Sequence, residues 1–165
     1  EVRKECPWGT TGKLPNRKRN IITSLALEAE VMENINLKLQ AKYREIEKNE
    51  VRFEAHHCED ADYVLVAFGS IARICEKAME MAREEGYKVG VLRPITLFPF
   101  PTNPIKELSQ KVKGFLTVEM SAGQMVEDVR LTVNGAVPVE FYGRMGGIVP
   151  SAEEILAALK EKLIK

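Results

Sequence analysis

The stretch Asp62-Tyr63-Val64-Leu65-Val66-Ala67-Phe68-Gly69-Ser70 holds an unbroken apolar run between an acid and a Gly-Ser pair. Such a run, rich in β-branched and aromatic side chains, predicts a strand buried on both faces. Ser70 is expected to cap a helix on which Ile71, Ile74, Cys75, Ala78 and Ala82 recur at helical spacing until Gly86. A second buried strand, Val89-Gly90-Val91-Leu92, follows. Strand, helix and strand make a βαβ unit, which builds a parallel sheet by a right-handed crossover. Pro94 stops the second strand, and Pro99, Pro101 and Pro104 keep the next segment extended.

The same pattern repeats towards the C-terminus. Asn103, with Pro104 at the first helical position, predicts a helix with Ile105, Leu108 and Val112 inward. Phe115-Leu116-Thr117-Val118 is a third strand, ending at Glu119. Ser121 and Gln124 have capping-box spacing for a helix carrying Val126, Val129 and Val133 and closed by Asn134-Gly135. Pro138-Val139-Glu140-Phe141-Tyr142 is the fourth strand. After the glycine-rich turn 143–147, Ser151 and Glu154 cap a last helix whose Ile155, Leu156, Leu159 and Leu163 face inward. From Asp62 the order is βαβαβαβα. The predicted fold is therefore α/β: a doubly wound, mostly parallel sheet with helices on both faces, occupying residues 61–165.

Residues 1–60 read as a linker and a long helical arm. Val51-Arg52-Phe53-Glu54-Ala55 alternates as an edge strand does. Ile22 to Glu47 lacks Gly and Pro, and predicts one long helix. Leu25, Met32, Leu39 and Ile46 fill one heptad position, and Ile22, Ala29, Asn36 and Tyr43 the other. That stripe suits another chain or domain, with Asn36 as a register-setting polar break; the alternative is a helix crossing the back of its own sheet. The first twenty residues are polar, with a basic cluster at Arg17-Lys18-Arg19; Cys6-Pro7-Trp8-Gly9 reads as a buried corner or as part of a disordered end.

The 165 residues carry no net charge, which argues against a nucleic-acid or anionic-membrane binder. No apolar run reaches the ~20 residues of a membrane span, and Glu1-Val2-Arg3-Lys4-Glu5 is not a signal peptide. A cytoplasmic protein is expected. Cys6, Cys58 and Cys75 stand far apart without a CxxC pair, so neither a disulfide scaffold nor a four-thiolate centre is expected, and Cys75 reads as core. His56 and His57 are adjacent, with Cys58 beside them and no fourth ligand, which is poor metal-site spacing.

Doubly wound sheets bind ligands outside the carboxyl ends of their strands. That edge carries Gly69-Ser70, Arg93, Glu119-Met120-Ser121-Ala122-Gly123 and Gly143-Arg144-Met145-Gly146-Gly147. Two helix N-termini and the arginines Arg93 and Arg144 suit an anion or an interface. There is no GxGxxG, GxxxxGK[ST] or GxSxG motif and no Ser/His/Asp set. Glu119 reads as a strand-end carboxylate paired with an arginine rather than as an acid or base. No catalytic residue, metal ligand or cofactor site is assigned to this chain.

Four strings carry a resemblance: Ala67-Phe68-Gly69-Ser70-Ile71-Ala72-Arg73, Gly90-Val91-Leu92-Arg93-Pro94-Ile95-Thr96-Leu97-Phe98-Pro99-Phe100-Pro101, Val118-Glu119-Met120-Ser121-Ala122-Gly123-Gln124-Met125-Val126-Glu127-Asp128-Val129-Arg130 and Phe141-Tyr142-Gly143-Arg144-Met145-Gly146-Gly147. Together they resemble the α subunit of 2-oxoacid:ferredoxin oxidoreductases, most of all the 2-oxoglutarate and 2-oxoisovalerate members. The resemblance implies a transketolase C-terminal-like domain within an enzyme that oxidatively decarboxylates a 2-oxoacid, acylates coenzyme A and reduces ferredoxin. It also implies thiamine diphosphate, magnesium and iron–sulfur clusters for the whole complex, bound outside this chain, with a β subunit and small γ or ferredoxin-like subunits as partners. The expected role is scaffolding and subunit contact, the isolated chain being inactive and oligomeric through its long helix. Readings from other classes are a free-standing flavodoxin-like anion- or nucleotide-binding module and an oligomerisation domain built on the heptad helix.

Overall fold

The computed structural model describes residues 23–164 together with Gly9, Gly12, Pro15, Asn16 and Lys18. Cys6, Pro7 and Trp8 of the expected corner, Arg17 and Arg19 of the basic cluster, and Ile22 of the heptad lie outside the described residues. Two compact units divide the chain, Glu1–Ala41 and Lys42–Lys165.

Helix α1 runs Ala29–Asn49, and none of its residues is buried. It starts later than the heptad predicts and leaves Leu25 outside. Upstream, the Thr23 hydroxyl accepts a hydrogen bond from the Leu25 N–H (3.2 Å), a local bond that competes with helical pairing.

The second unit is built on one sheet of order β1-β3-β2-β4-β5. The strands are β1 Phe53–His56, β2 Tyr63–Val66, β3 Val89–Pro94, β4 Gly114–Glu119 and β5 Val139–Gly143. β2 to β5 are parallel; β1 pairs antiparallel with β3, setting Phe53 opposite Pro94. The unit thus takes in β1, ahead of the expected start at residue 61. Helices α2 (Ser70–Glu84), α3 (Thr102–Leu108) and α4 (Met125–Val133) join the parallel strands, α5 (Ala152–Leu159) follows β5, and a π-helical turn, Lys160–Ile164, follows α5.

Period-two alternation along the strands makes two cores. Leu65, Ala67, Val89, Val91, Leu116 and Val118 pack against α2 and α5. Val64, Val66, Leu92 and Phe115 pack against Ile105 of α3 and Met125, Val129 and Val133 of α4. The doubly wound expectation holds, with two helices on each face.

Helix starts depart from expectation in three places. Gly69, not Ser70, is the N-cap of α2; its φ of 65° lies in the left-handed region, which glycine enters at no steric cost. α3 starts at Thr102 behind Pro101, so Asn103 and Pro104 are already helical and Asn103 caps nothing. α4 is not opened by a Ser121–Gln124 box, for reasons given below. The Ser151–Glu154 capping box forms as expected, and Asn134 closes α4 in the left-handed conformation.

His56-His57-Cys58 is a corner. His57 has φ 53°, and the chain then crosses β3 where Gly90 stands: a Cβ on Gly90 would lie 2.8 Å from the His57 carbonyl oxygen and 3.0 Å from Cys58 Cα. Cys58 is buried, with its thiol donating to the Val91 carbonyl (3.3 Å). Burial pushes the Cys58 thiol up to about 11 and that of Cys75 up to about 12. Both thiols are plain core.

Arg83 of α2 ties this corner down. It donates to Asp60 Oδ1 (2.6 Å), to the His57 carbonyl (2.9 Å) and to the Val89 carbonyl (2.7 Å). The bond from Arg83 holds the Asp60 carboxyl below its ordinary range. A carboxyl with a lowered folded-state pKa stabilises the fold above its unfolded pKa, and that contribution disappears as the pH falls through the folded value. Acidification from about pH 5 to about pH 2 should therefore lower the thermal midpoint more in the wild type than in Asp60→Asn. Parallel curves for the two proteins would show that the pair is not coupled to folding.

Candidate functional site

β2 connects to β3 on one side and has β4 on the other, so the winding reverses between β2 and β4. Ligand crevices in such sheets open at this reversal, beyond the strands' carboxyl ends. A cavity of about 300 Å³ lies there, lined by Phe68, Gly69, Ser70 and Ile71 after β2 and by Glu119, Met120, Ser121 and Gln124 after β4.

Glu119 organises the β4 side. Only 2% of it is exposed, and its carboxylate accepts from the N–H groups of Gln124 (3.1 Å), Met125 (3.1 Å) and Val126 (3.0 Å) and from the Ser121 hydroxyl (3.1 Å). The Ser121 oxygen in turn accepts from Gly123 N–H (3.2 Å). The buried acid is thus the cap of α4, with the positive end of the helix as counter-charge. Its expected arginine partner is replaced by backbone amides. With every oxygen engaged, Glu119 is a structural carboxylate.

Of the residues expected at the strand ends, Gly69, Ser70, Glu119, Ser121 and Gly123 meet around this crevice, and Gly143 backs it. A Cβ on Gly143 would fall 2.5 Å from the Ser121 carbonyl oxygen and 2.3 Å from the Phe141 ring. The two arginines stand elsewhere. Arg93 donates to Glu54 Oε2 of β1 (2.8 Å), and Arg144 donates to Glu154 Oε1 of α5 (2.5 Å). Glu154 is held below its ordinary range by the Ser151 N–H and by Arg144. Gly146 and Gly147 form an exposed turn with φ of 72° and 85°. Both arginine charges are matched within the chain.

On α1, Met32 and Ile46 are half-buried, while Asn36, Leu39 and Tyr43 are exposed. The Tyr43 ring meets Phe98 edge-on, with centroids 5.9 Å apart. Phe68, Met120 and Gln124 also line the crevice. Phe68, Met120 and Gln124 belong to the strings that carry the family resemblance, but nothing in their spacing marks them as lining. His56 Nε2 lies 3.8 Å from carboxylate oxygens of Glu54 and Glu76. Among the described residues no three His, Cys, Asp or Glu side chains gather as a metal site. Nor is any helix among them long and apolar enough to cross a membrane.

The fold and the crevice at the winding reversal define an α/β domain of the transketolase C-terminal kind. Two solved structures share it at a level of identity that speaks for the fold alone. A 2-oxoglutarate:ferredoxin oxidoreductase from Magnetococcus marinus, solved with 2-oxoglutarate, coenzyme A and succinyl-CoA, matches 89% of this chain and 27% of its own (TM-score 0.69, 19% identity). A split-gene transketolase, an inactive β4 tetramer, matches 68% of this chain and 41% of its own (TM-score 0.59, 20% identity). Residues 61–155 match the model of pyruvate:ferredoxin oxidoreductase core domain II, and the chain belongs to that family. It is 44% identical over 161 residues to the ketoisovalerate oxidoreductase subunit VorB of Methanothermobacter marburgensis, covering 98% of this chain and 45% of VorB. The 2-oxoglutarate synthase subunit KorA of the same organism is 35% identical over 98 residues, 59% of this chain and 26% of KorA. The chain thus spans less than half the length of these relatives. Family membership sets aside the free-standing flavodoxin-like module.

Proposed function

We propose that this chain is the scaffold and contact portion of the α-type subunit of a cytoplasmic 2-oxoacid:ferredoxin oxidoreductase, with a branched-chain 2-oxoacid as substrate. The observation that carries this reading is the 44% identity with VorB over 161 residues. The higher identity to VorB than to KorA favours the 2-oxoisovalerate type. Thiamine diphosphate with magnesium, iron–sulfur clusters and coenzyme A would supply decarboxylation, electron transfer and acyl acceptance from outside this chain. Among the described residues, Cys58 and Cys75, which burial holds as thiols, do not suit iron–sulfur ligation. What the chain contributes is a rigid sheet whose carboxyl edge presents its loops to neighbouring parts of the enzyme. Helix α1, with no buried residue and with Val31, Ile35 and Leu39 exposed, contributes a second contact, to another chain.

The test is to mix the purified chain with the complex's thiamine-binding β subunit. Mass is followed by light scattering, and activity as 2-oxoacid- and coenzyme A-dependent reduction of ferredoxin. The chain alone should be inactive and should form a mixed complex of higher mass. A chain that ignores the β subunit and stays monomeric would sink the reading. The same scattering run on the chain alone reads self-association through α1.

A further inference from the structure

Between residues 42 and 164, all but two of the exposed large apolar side chains lie at a single edge of the sheet. Leu97 and Phe98 follow the end of β3, Met120 follows β4, and Met145, Ile148 and Val149 follow β5. The parallel strands bring these loops to one level, and the antiparallel register of β1 puts Phe53 there too, opposite Pro94. Phe98 is 63% exposed, although it sits on the Tyr43 ring. The exceptions are Tyr43 on α1, whose ring meets Phe98, and Leu131 on α4, which is 79% exposed and stands away from that edge.

Scattered exposed hydrophobic residues are ordinary, but apolar side chains gathered on one face mark a surface that another protein covers. The charges of this edge identify the kind of cover. Arg93 is matched by Glu54, Arg144 by Glu154, and Glu119 by the α4 amides. The charges left unpaired at this edge, Arg73 in the first turn of α2 and Glu127 and Asp128 in the first turn of α4, are of both signs, so no single-sign field recruits nucleic acid or an anionic membrane, and apolar loops beside mixed charges suit a protein surface. Length indicates which one: VorB matches 98% of this chain but continues for more than half its own length beyond the match. A partner carried on the same polypeptide is present at millimolar effective concentration, so the apolar edge is covered as soon as both parts are made.

We infer that the carboxyl edge of the sheet, centred on Phe98, Met120 and Met145, is the docking face for the remaining portion of the α-type subunit's own chain. This rests on the proposed oxidoreductase reading and adds the partner and the chemistry of contact. To test it, the chain is co-expressed with a tagged segment of Methanothermobacter marburgensis VorB lying outside the match, and separately with the thiamine-binding subunit. Complexes are captured on the tag and sized by light scattering. A one-to-one complex with the VorB segment is expected, weakened at least about tenfold by Phe98→Asp and by Met145→Asp. Leu131→Asp, at a more exposed position away from the edge, should leave it unchanged; circular dichroism checks that each variant folds. A complex that withstands both edge variants overturns the inference. So does binding to the thiamine-binding subunit alone, or a self-dimer that the edge variants dissociate, and in either case the oxidoreductase reading stands. No complex with either partner overturns both.

Discussion

Replacing Glu119 by alanine is expected to lower the unfolding free energy by about 3–5 kcal/mol. The carboxylate is almost wholly buried, and the amides of Gln124, Met125 and Val126 converge on it. Alanine would leave these donors without an acceptor, and Met125 and Val126 are themselves buried. Glu119→Gln keeps the shape and one acceptor oxygen but turns an amide N–H₂ towards backbone donors, so it should fall between the wild type and alanine. Urea unfolding followed by circular dichroism measures both. A loss under about 1 kcal/mol for Glu119→Ala would mean that α4 finds another cap. The loop from Met120 to Gln124 should also become sensitive to proteolysis, because the Ser121 hydroxyl loses its acceptor.

Gly90→Ala should cost about 3 kcal/mol for a different reason. The new methyl would meet the His57 carbonyl at 2.8 Å and Cys58 Cα at 3.0 Å, both backbone atoms of the crossing segment. Backbone cannot rotate aside as a side chain can, so either the corner lifts from β3 or β3 shifts within the sheet. Adding Cys58→Ala removes only the Sγ contact, also at 3.0 Å, and should restore little. Full rescue by that second change would place the strain in the thiol rather than in the crossing. Denaturant midpoints of the single and double variants decide between these outcomes.

The sheet was legible because its central strands are continuous apolar runs and its helices keep a 3.6-residue period. The edge strand was legible too, since Phe53-Glu54-Ala55 alternates, although its antiparallel pairing with β3 left no local mark. Helix starts were less legible. Ser121 and Gln124 have capping-box spacing, yet the acceptor that wins is Glu119, a strand residue brought to the helix end only by the tertiary fold. In the same way, the arginines looked free because their partners, Glu54 and Glu154, are 39 and 10 residues away. The crevice could be placed at the strand ends from the βα order alone. Its lining by Phe68, Met120 and Gln124, and the gathering of exposed apolar loops on one edge, depend on which strands become neighbours.

The antiparallel strand also imposes an order of assembly. β1 is synthesised before every other strand of the sheet, but its hydrogen-bond partners, Val91 to Pro94, lie on β3, which leaves the ribosome after β2 and α2. At about 5–20 residues per second, Phe53 waits roughly 2–8 s before Pro94 exists to pair with it. A nascent chain ending before β3 cannot hold β1, the His57 corner or the Cys58 plug in place. The first-made strand is pinned only after a later one, and until then its backbone groups are open to whatever other strand edge is nearby.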